Sequence, residues 1–118
     1  MNKINEMKQN IETGERDAQI NLVVAEERRS EAPRRSPFYL DMTSEIESLR
    51  EELASLKAAR KAVEKVEQFL RDGKEGESLR SAVEREISKL EKRLDGGKFG
   101  AKQWAALEAY RELLSEMR

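Results

Sequence analysis

Residues Thr43 to Asp72 read TSEIESLREELASLKAARKAVEKVEQFLRD, thirty residues without glycine or proline. Ile46, Leu49, Leu53 and Leu56 recur at three-then-four spacing, which sets four branched apolar side chains on one seam of a helix about 45 Å long. A seam of this kind meets another helix, so the stretch speaks of association and not of chemistry. Beyond Leu56 the apolar side drifts through Ala59, Val63, Val66 and Leu70, a phase shift that suits a change of neighbour along one helix or a single drifting stripe.

Capping residues and glycines divide residues 42–118 into helices. Ser44 with Glu47 has capping-box spacing and Gly73 suits a left-handed helix end, which predicts a first helix over 44–72. Ser78 opens a second, with Leu79, Val83, Ile87, Leu90 and Leu94 on one face, closed by Gly96 and Gly97 near residue 95. Gly100 caps a third over 101–117. Phe99 and Trp104 there have the spacing of a hydrophobic staple, with Gln103 at the capping-box position. Nearly two-thirds of residues 42–118 are Ala, Glu, Lys, Leu or Arg, a long-helix composition. The predicted fold is therefore all-α: a three-helix antiparallel arrangement with a long, coiled-coil-like first helix over 42–118, preceded by a flexible N-terminal arm over 1–41 that is disordered or ordered only on a partner.

Within that arm, Ile4, Met7 and Ile11 suit a short amphipathic helix ended by Gly14. Ala18, Ile20, Leu22 and Val24 alternate as a strand would, while Ile20, Val23 and Val24 also share one helix face. The stretch Ser30 to Pro37 reads as an exposed linker, and Phe38, Tyr39 and Leu40 after it as an anchor. Ile20, Leu22, Val24, Phe38, Tyr39 and Leu40 are the candidate partner-binding residues of the arm.

Length and composition bound the rest. The 118 residues suffice for one folded unit. Charged residues make up 40%, against roughly 25% in ordinary domains. The 23 basic and 24 acidic residues leave a net charge of −1, so charge-driven binding has to be local. No apolar run approaches the roughly 20 residues that span a bilayer, and a cytoplasmic location without a membrane partner is expected. Cysteine and histidine are both absent, which removes thiol chemistry, the commonest transition-metal ligand and the side chain that titrates near neutrality. The expectation is a chain without enzymatic activity, cofactor or metal. Glu51 with Glu52 and Glu108 with Glu112 are carboxylate pairs outside any oxygen-rich loop, the ordinary product of charged helix surfaces.

Two charge patterns carry functional readings. Lys57, Lys61 and Lys65 recur every four residues, and so do Arg85, Lys89 and Arg93. Like charges at this spacing repel by a few tenths of a kcal/mol per pair, which an anionic ligand would relieve. Solvated helix faces carry such runs too. Arg28-Arg29-Ser30 and Arg34-Arg35-Ser36 form a short duplication suited to a phosphate-binding or kinase-recognised patch, and equally to plain linker composition.

The first helix, longer than its two successors by about three turns, leaves Ile46, Leu49, Leu53 and Leu56 to be covered by the N-terminal region or by another chain. Its acidic first half and basic second half favour two copies laid antiparallel, so self-association as a homodimer is expected at these four residues. The function expected is that of a protein–protein interaction protein: an adaptor, an assembly factor or a steric inhibitor of a larger partner, a description that small bacterial or phage regulators fit. Ranked second is a helical nucleic-acid-binding protein using the Lys57/Lys61/Lys65 and Arg85/Lys89/Arg93 faces.

Overall fold

The computed structural model describes residues 2–97 and 99–117. Four helices follow one another: α1 (Asn2–Glu31), α2 (Pro37–Arg71), α3 (Gly76–Asp95) and α4 (Ala101–Ser115), with no strand among the described residues. The all-α class holds, and the helix count of three is corrected to four.

The fourth helix lies where a flexible arm was expected. Ile4, Ile11, Ala18 and Ala25 are seven residues apart, with Met7 and Gly14 between them, so α1 carries a heptad seam of its own. All of these except Gly14 are buried. Gly14 does not end the helix but lies inside it, under Leu56. A Cβ at position 14 would stand 3.3 Å from Leu56 Cδ1, so glycine here lets a large side chain of α2 approach the backbone of α1.

The start of α2 moves upstream for a local reason. Ser36 accepts a hydrogen bond from the Tyr39 amide at 3.1 Å and Pro37 takes the first helical position, a stronger start signal than Ser44. Thus α2 has 35 residues, and Ser44 and Glu47 fall in its interior. The later boundaries agree closely with the sequence reading. Gly73 turns the chain after α2 with φ 86°. Ser78 sits one turn into α3, accepting from the Glu75 amide at 3.1 Å. At α4 the Gly100 amide donates to Gln103 Oε1 at 2.9 Å, and the Phe99 and Trp104 rings meet edge to face with centroids 5.0 Å apart.

Packing divides into two clusters. In the first, Ile4, Met7 and Ile11 of α1 join Val63 and Val66 of α2, Leu79, Val83 and Ile87 of α3, and Leu107, Tyr110 and Leu113 of α4. In the second, Ala18 and Ala25 of α1 face Ile46, Leu49 and Leu53 of α2, with Leu22 and Met42 beside them. The drift of the apolar stripe along α2 is thus a change of neighbours: α1 alone below Leu56, three helices above it. Ion pairs fix the antiparallel register. Lys8 meets Glu67 at 3.1 Å, Glu15 meets Arg60, and Glu26 meets Arg50 at 3.4 Å. Lys3 reaches Glu112 on α4 at 3.0 Å, a contact that holds its ammonium above the ordinary value of 10.5.

The second cluster makes an arm. Beyond the four-helix body, α1 and α2 continue as a pair for about 28 Å along α2. The molecule measures 58 × 33 × 20 Å with a radius of gyration of 17.9 Å, against about 13 to 14 Å for a compact chain of this length.

Overfilling or emptying the seam tests this packing. Gly14→Val should lower the unfolding free energy by roughly 0.5–2.5 kcal/mol, the cost of overpacking against Leu56 less the helix propensity gained by replacing glycine. Leu53→Ala should lower it by about 2–4 kcal/mol through the cavity it leaves. Urea unfolding followed by circular dichroism measures both, and values within about 0.5 kcal/mol of the parent, the scatter of neutral surface changes, would contradict the α1–α2 contact.

Candidate interaction surfaces

The seam residues come first. Ile46 is 1% exposed and Leu49 and Leu53 are 9% exposed, all covered by α1 of the same chain, while Leu56 is half-buried over Gly14. The uncovered apolar edge from which pairing was expected is therefore absent, because the N-terminal region shelters it.

Of the six arm candidates, the structure separates those turned inward from those left out. Leu22 packs into the second cluster. Tyr39 is half-buried, with the Arg29 guanidinium 5.6 Å above its ring. Phe38 lines a shallow hollow of about 800 Å³ at the hairpin tip with Arg28, Glu31, Pro33 and Pro37. Leu40 is exposed, and at 100° per residue it lies on the side of α2 turned away from α1. Ile20 and Val24 are exposed on α1, and Val23 completes their face; the three are 56%, 39% and 51% exposed. On the helical wheel they fill an arc of about 100°, opposite the arc of Ala18, Leu22 and Ala25. Over this stretch α1 is apolar on two sides, of which one is used inside the chain.

The second surface is a basic groove. Lys61 and Lys65 of α2, Lys89 and Arg93 of α3 and Lys102 of α4 line one hollow of about 450 Å³ over Ala62, Leu90, Ala106 and Tyr110. It continues along α2 into a second hollow of about 430 Å³ that shares Ala58, Lys61 and Lys102 and adds Arg50 and Lys57. The one acid lining the two hollows is Glu86, which is held by Lys65 at 3.1 Å and Lys89 at 3.4 Å. Lys57, Lys61, Arg93 and Lys102 take part in no ion pair among the described residues. Five of the six candidate anion-binding residues thus border the groove, and Arg85 lies away from it, beside Ser81, Glu84 and Ser88. Lys102 was not legible as a member, since nothing in its own helix marks it; only the packing of α4 on α2 brings it there.

Among the described residues no group of three or more carboxylates could hold a metal ion, and no helix is long and apolar enough to cross a membrane. No protein-family model, curated protein or solved structure matches this chain.

Tyr110, at the floor of the groove, reports on its electrostatics. Burial pushes its phenol up to about 12, and the Glu86 carboxylate adds to the shift. In the unfolded chain the proton leaves near the ordinary 10.0. Stability is therefore fully present below that pH and falls as the pH rises from 10.0 toward about 12. A phenolate absorbance titration should show the late step near the upper value, and Tyr110→Phe should abolish that step and lessen the alkaline loss of stability, the remainder coming from lysines such as Lys3 that lose their ion pairs in the same range. Loss of no step in the variant would contradict the buried placement.

Proposed function

We propose that this chain is a non-catalytic protein–protein interaction protein, an adaptor, assembly factor or steric inhibitor, that works by presenting the α1–α2 arm to another protein. The observation that carries the reading is the outer face of α1. Ile20, Val23 and Val24 stand in water although the same helix already has a complete inner seam, and β-branched residues are not chosen there for helix propensity. A helix laid along this face would find apolar contacts flanked by Arg16 at one end and Glu27 at the other, neither of them ion-paired within the described residues. A second copy is one helix that fits. Laid antiparallel about a two-fold axis between Asn21 and Leu22, it sets Ile20 against Val23 and Arg16 against Glu27, each contact made twice. Homodimer formation is therefore proposed for this face and no longer for the α2 seam.

The nucleic-acid reading ranks second. It draws on the gathering of Lys57, Lys61, Lys65, Lys89 and Arg93 at one groove. Against it, the aromatic side chain that lines the groove, Tyr110, is only 6% exposed and offers no platform for stacking a base.

The test compares the parent with Ile20→Asp plus Val23→Asp. Both side chains are exposed, so helicity and unfolding midpoint should be kept. Light scattering should show the parent's dimer, or affinity capture from the native host its stoichiometric protein partner, and the double variant should lose it. A parent that stays monomeric at high concentration and retains no protein beyond those the variant retains would contradict the reading.

A further inference from the structure

The groove between α2, α3 and α4 has a charge and a shape that the arm does not share. Seven cations from three helices border its two connected hollows, and the single acid there is already held by two lysines. On α2 alone, Lys57, Lys61 and Lys65 follow one another at about 6 Å along the axis, and the row from Arg50 to Lys65 runs about 22 Å. Such rows cost a few tenths of a kcal/mol per like-charged pair, which an anionic ligand relieves.

Between the cationic rims the floor is apolar. Ala58, Ala62 and Ala106 line it with Leu90, and small side chains make a trough wide enough for the side chains of an incoming element. Phosphates alone would satisfy the rims and leave this floor in contact with nothing. An α-helix satisfies both. Its pitch of about 5.4 Å sets carboxylates at i and i+4 beside successive lysines of α2, while leucine-sized side chains on its other face reach the floor. Four turns of such a helix match the length of the row.

We propose that this groove is a docking site for an acidic amphipathic helix of another protein, its apolar face on the alanine-lined floor and its carboxylates on Lys57, Lys61, Arg93 and Lys102. This extends the protein-binding reading to a second surface and depends on that reading only for the class of partner. The two are separable, because Ile20→Asp plus Val23→Asp lies outside the groove and should leave groove binding unchanged whether or not the arm has a partner.

The experiment is fluorescence anisotropy on the full chain with four labelled probes. They are a helical peptide with leucines on one face and glutamates on the other, a scrambled peptide of the same composition, a single-stranded oligonucleotide and a duplex. The amphipathic peptide is expected to bind at least ten-fold more tightly than its scrambled counterpart and than either nucleic acid. Lys61→Glu plus Arg93→Glu should weaken it at least ten-fold, with circular dichroism unchanged since both side chains are exposed. Arg34→Glu plus Arg35→Glu, at the hairpin tip, should leave it intact. Equal binding of the two peptides, tighter binding of an oligonucleotide, or no binding at all overturns the proposal. So does a doubled mass in light scattering that Lys61→Glu plus Arg93→Glu abolishes, which would seat a second copy in the groove.

Discussion

Ile46, Leu49, Leu53 and Leu56 of α2 come to rest on α1 because α1 presents alanine or glycine where they arrive. Ala18 and Ala25 are buried in the shared cluster, and Gly14 sits under Leu56, whose Cδ1 would stand 3.3 Å from a Cβ there. Large side chains on one helix and small ones on the other bring two backbones close while still filling the space between them. The apolar area removed from water at each of the three buried residues, Ile46, Leu49 and Leu53, stabilises the pair by about 1.5–3 kcal/mol before ordering costs, and the half-buried Leu56 adds less. The ion pairs at Glu15 and Glu26 add direction more than energy, since they admit one register and only the antiparallel sense.

The rest of the molecule depends on that contact. Because α1 is anchored on α2, its first three turns bring Ile4, Met7 and Ile11 into the core that α3 and α4 close from the other side. Because α3 and α4 are short, they cover only part of α2, and the remainder of the α1–α2 pair extends as an arm with water on both outer sides. The exposed face at Ile20, Val23 and Val24 exists for this reason. The groove has the same origin on another side of α2: the helix outlasts those laid on it, so its row of cations runs from the body, where α3 and α4 add Lys89, Arg93 and Lys102, onto the arm at Lys57 and Arg50.

The residues differ in how openly they declare this arrangement. In α2, α3 and α4, branched side chains at helical spacing and glycines at the turns leave one sensible reading, and the staple of Phe99 on Trp104 is legible to the residue. In α1 the seam is written in small side chains. Alanine at 18 and 25 contributes little to an apolar stripe, and Gly14 reads as a stop signal unless the leucine above it is known. The heptad through Ile4, Ile11, Ala18 and Ala25 is present in the order of residues and could have been found by its period alone. The start of α2 is misread because Ser44 with Glu47 matches a capping box by chance inside a helix, whereas Ser36 with Pro37 has the composition of a linker. As for the surfaces, the cationic rows on α2 and α3 are visible as spacings, but their meeting, the departure of Arg85 and the arrival of Lys102 depend on how the helices are rotated against one another.

The central claim is that α1 covers α2 within a single chain. With no native cysteine in the sequence, spin labels attached through cysteines placed at Glu26 and Arg50 report this contact directly by pulsed electron resonance, in doubly labelled chains diluted with an excess of unlabelled ones. The expected result is one narrow, short distance, set by helix axes roughly 8–10 Å apart plus the label arms, that persists unchanged on dilution. A distance that fades as unlabelled chain is added, because α1 lies on the α2 of another copy, or a broad distribution from a free N-terminal segment, would contradict it.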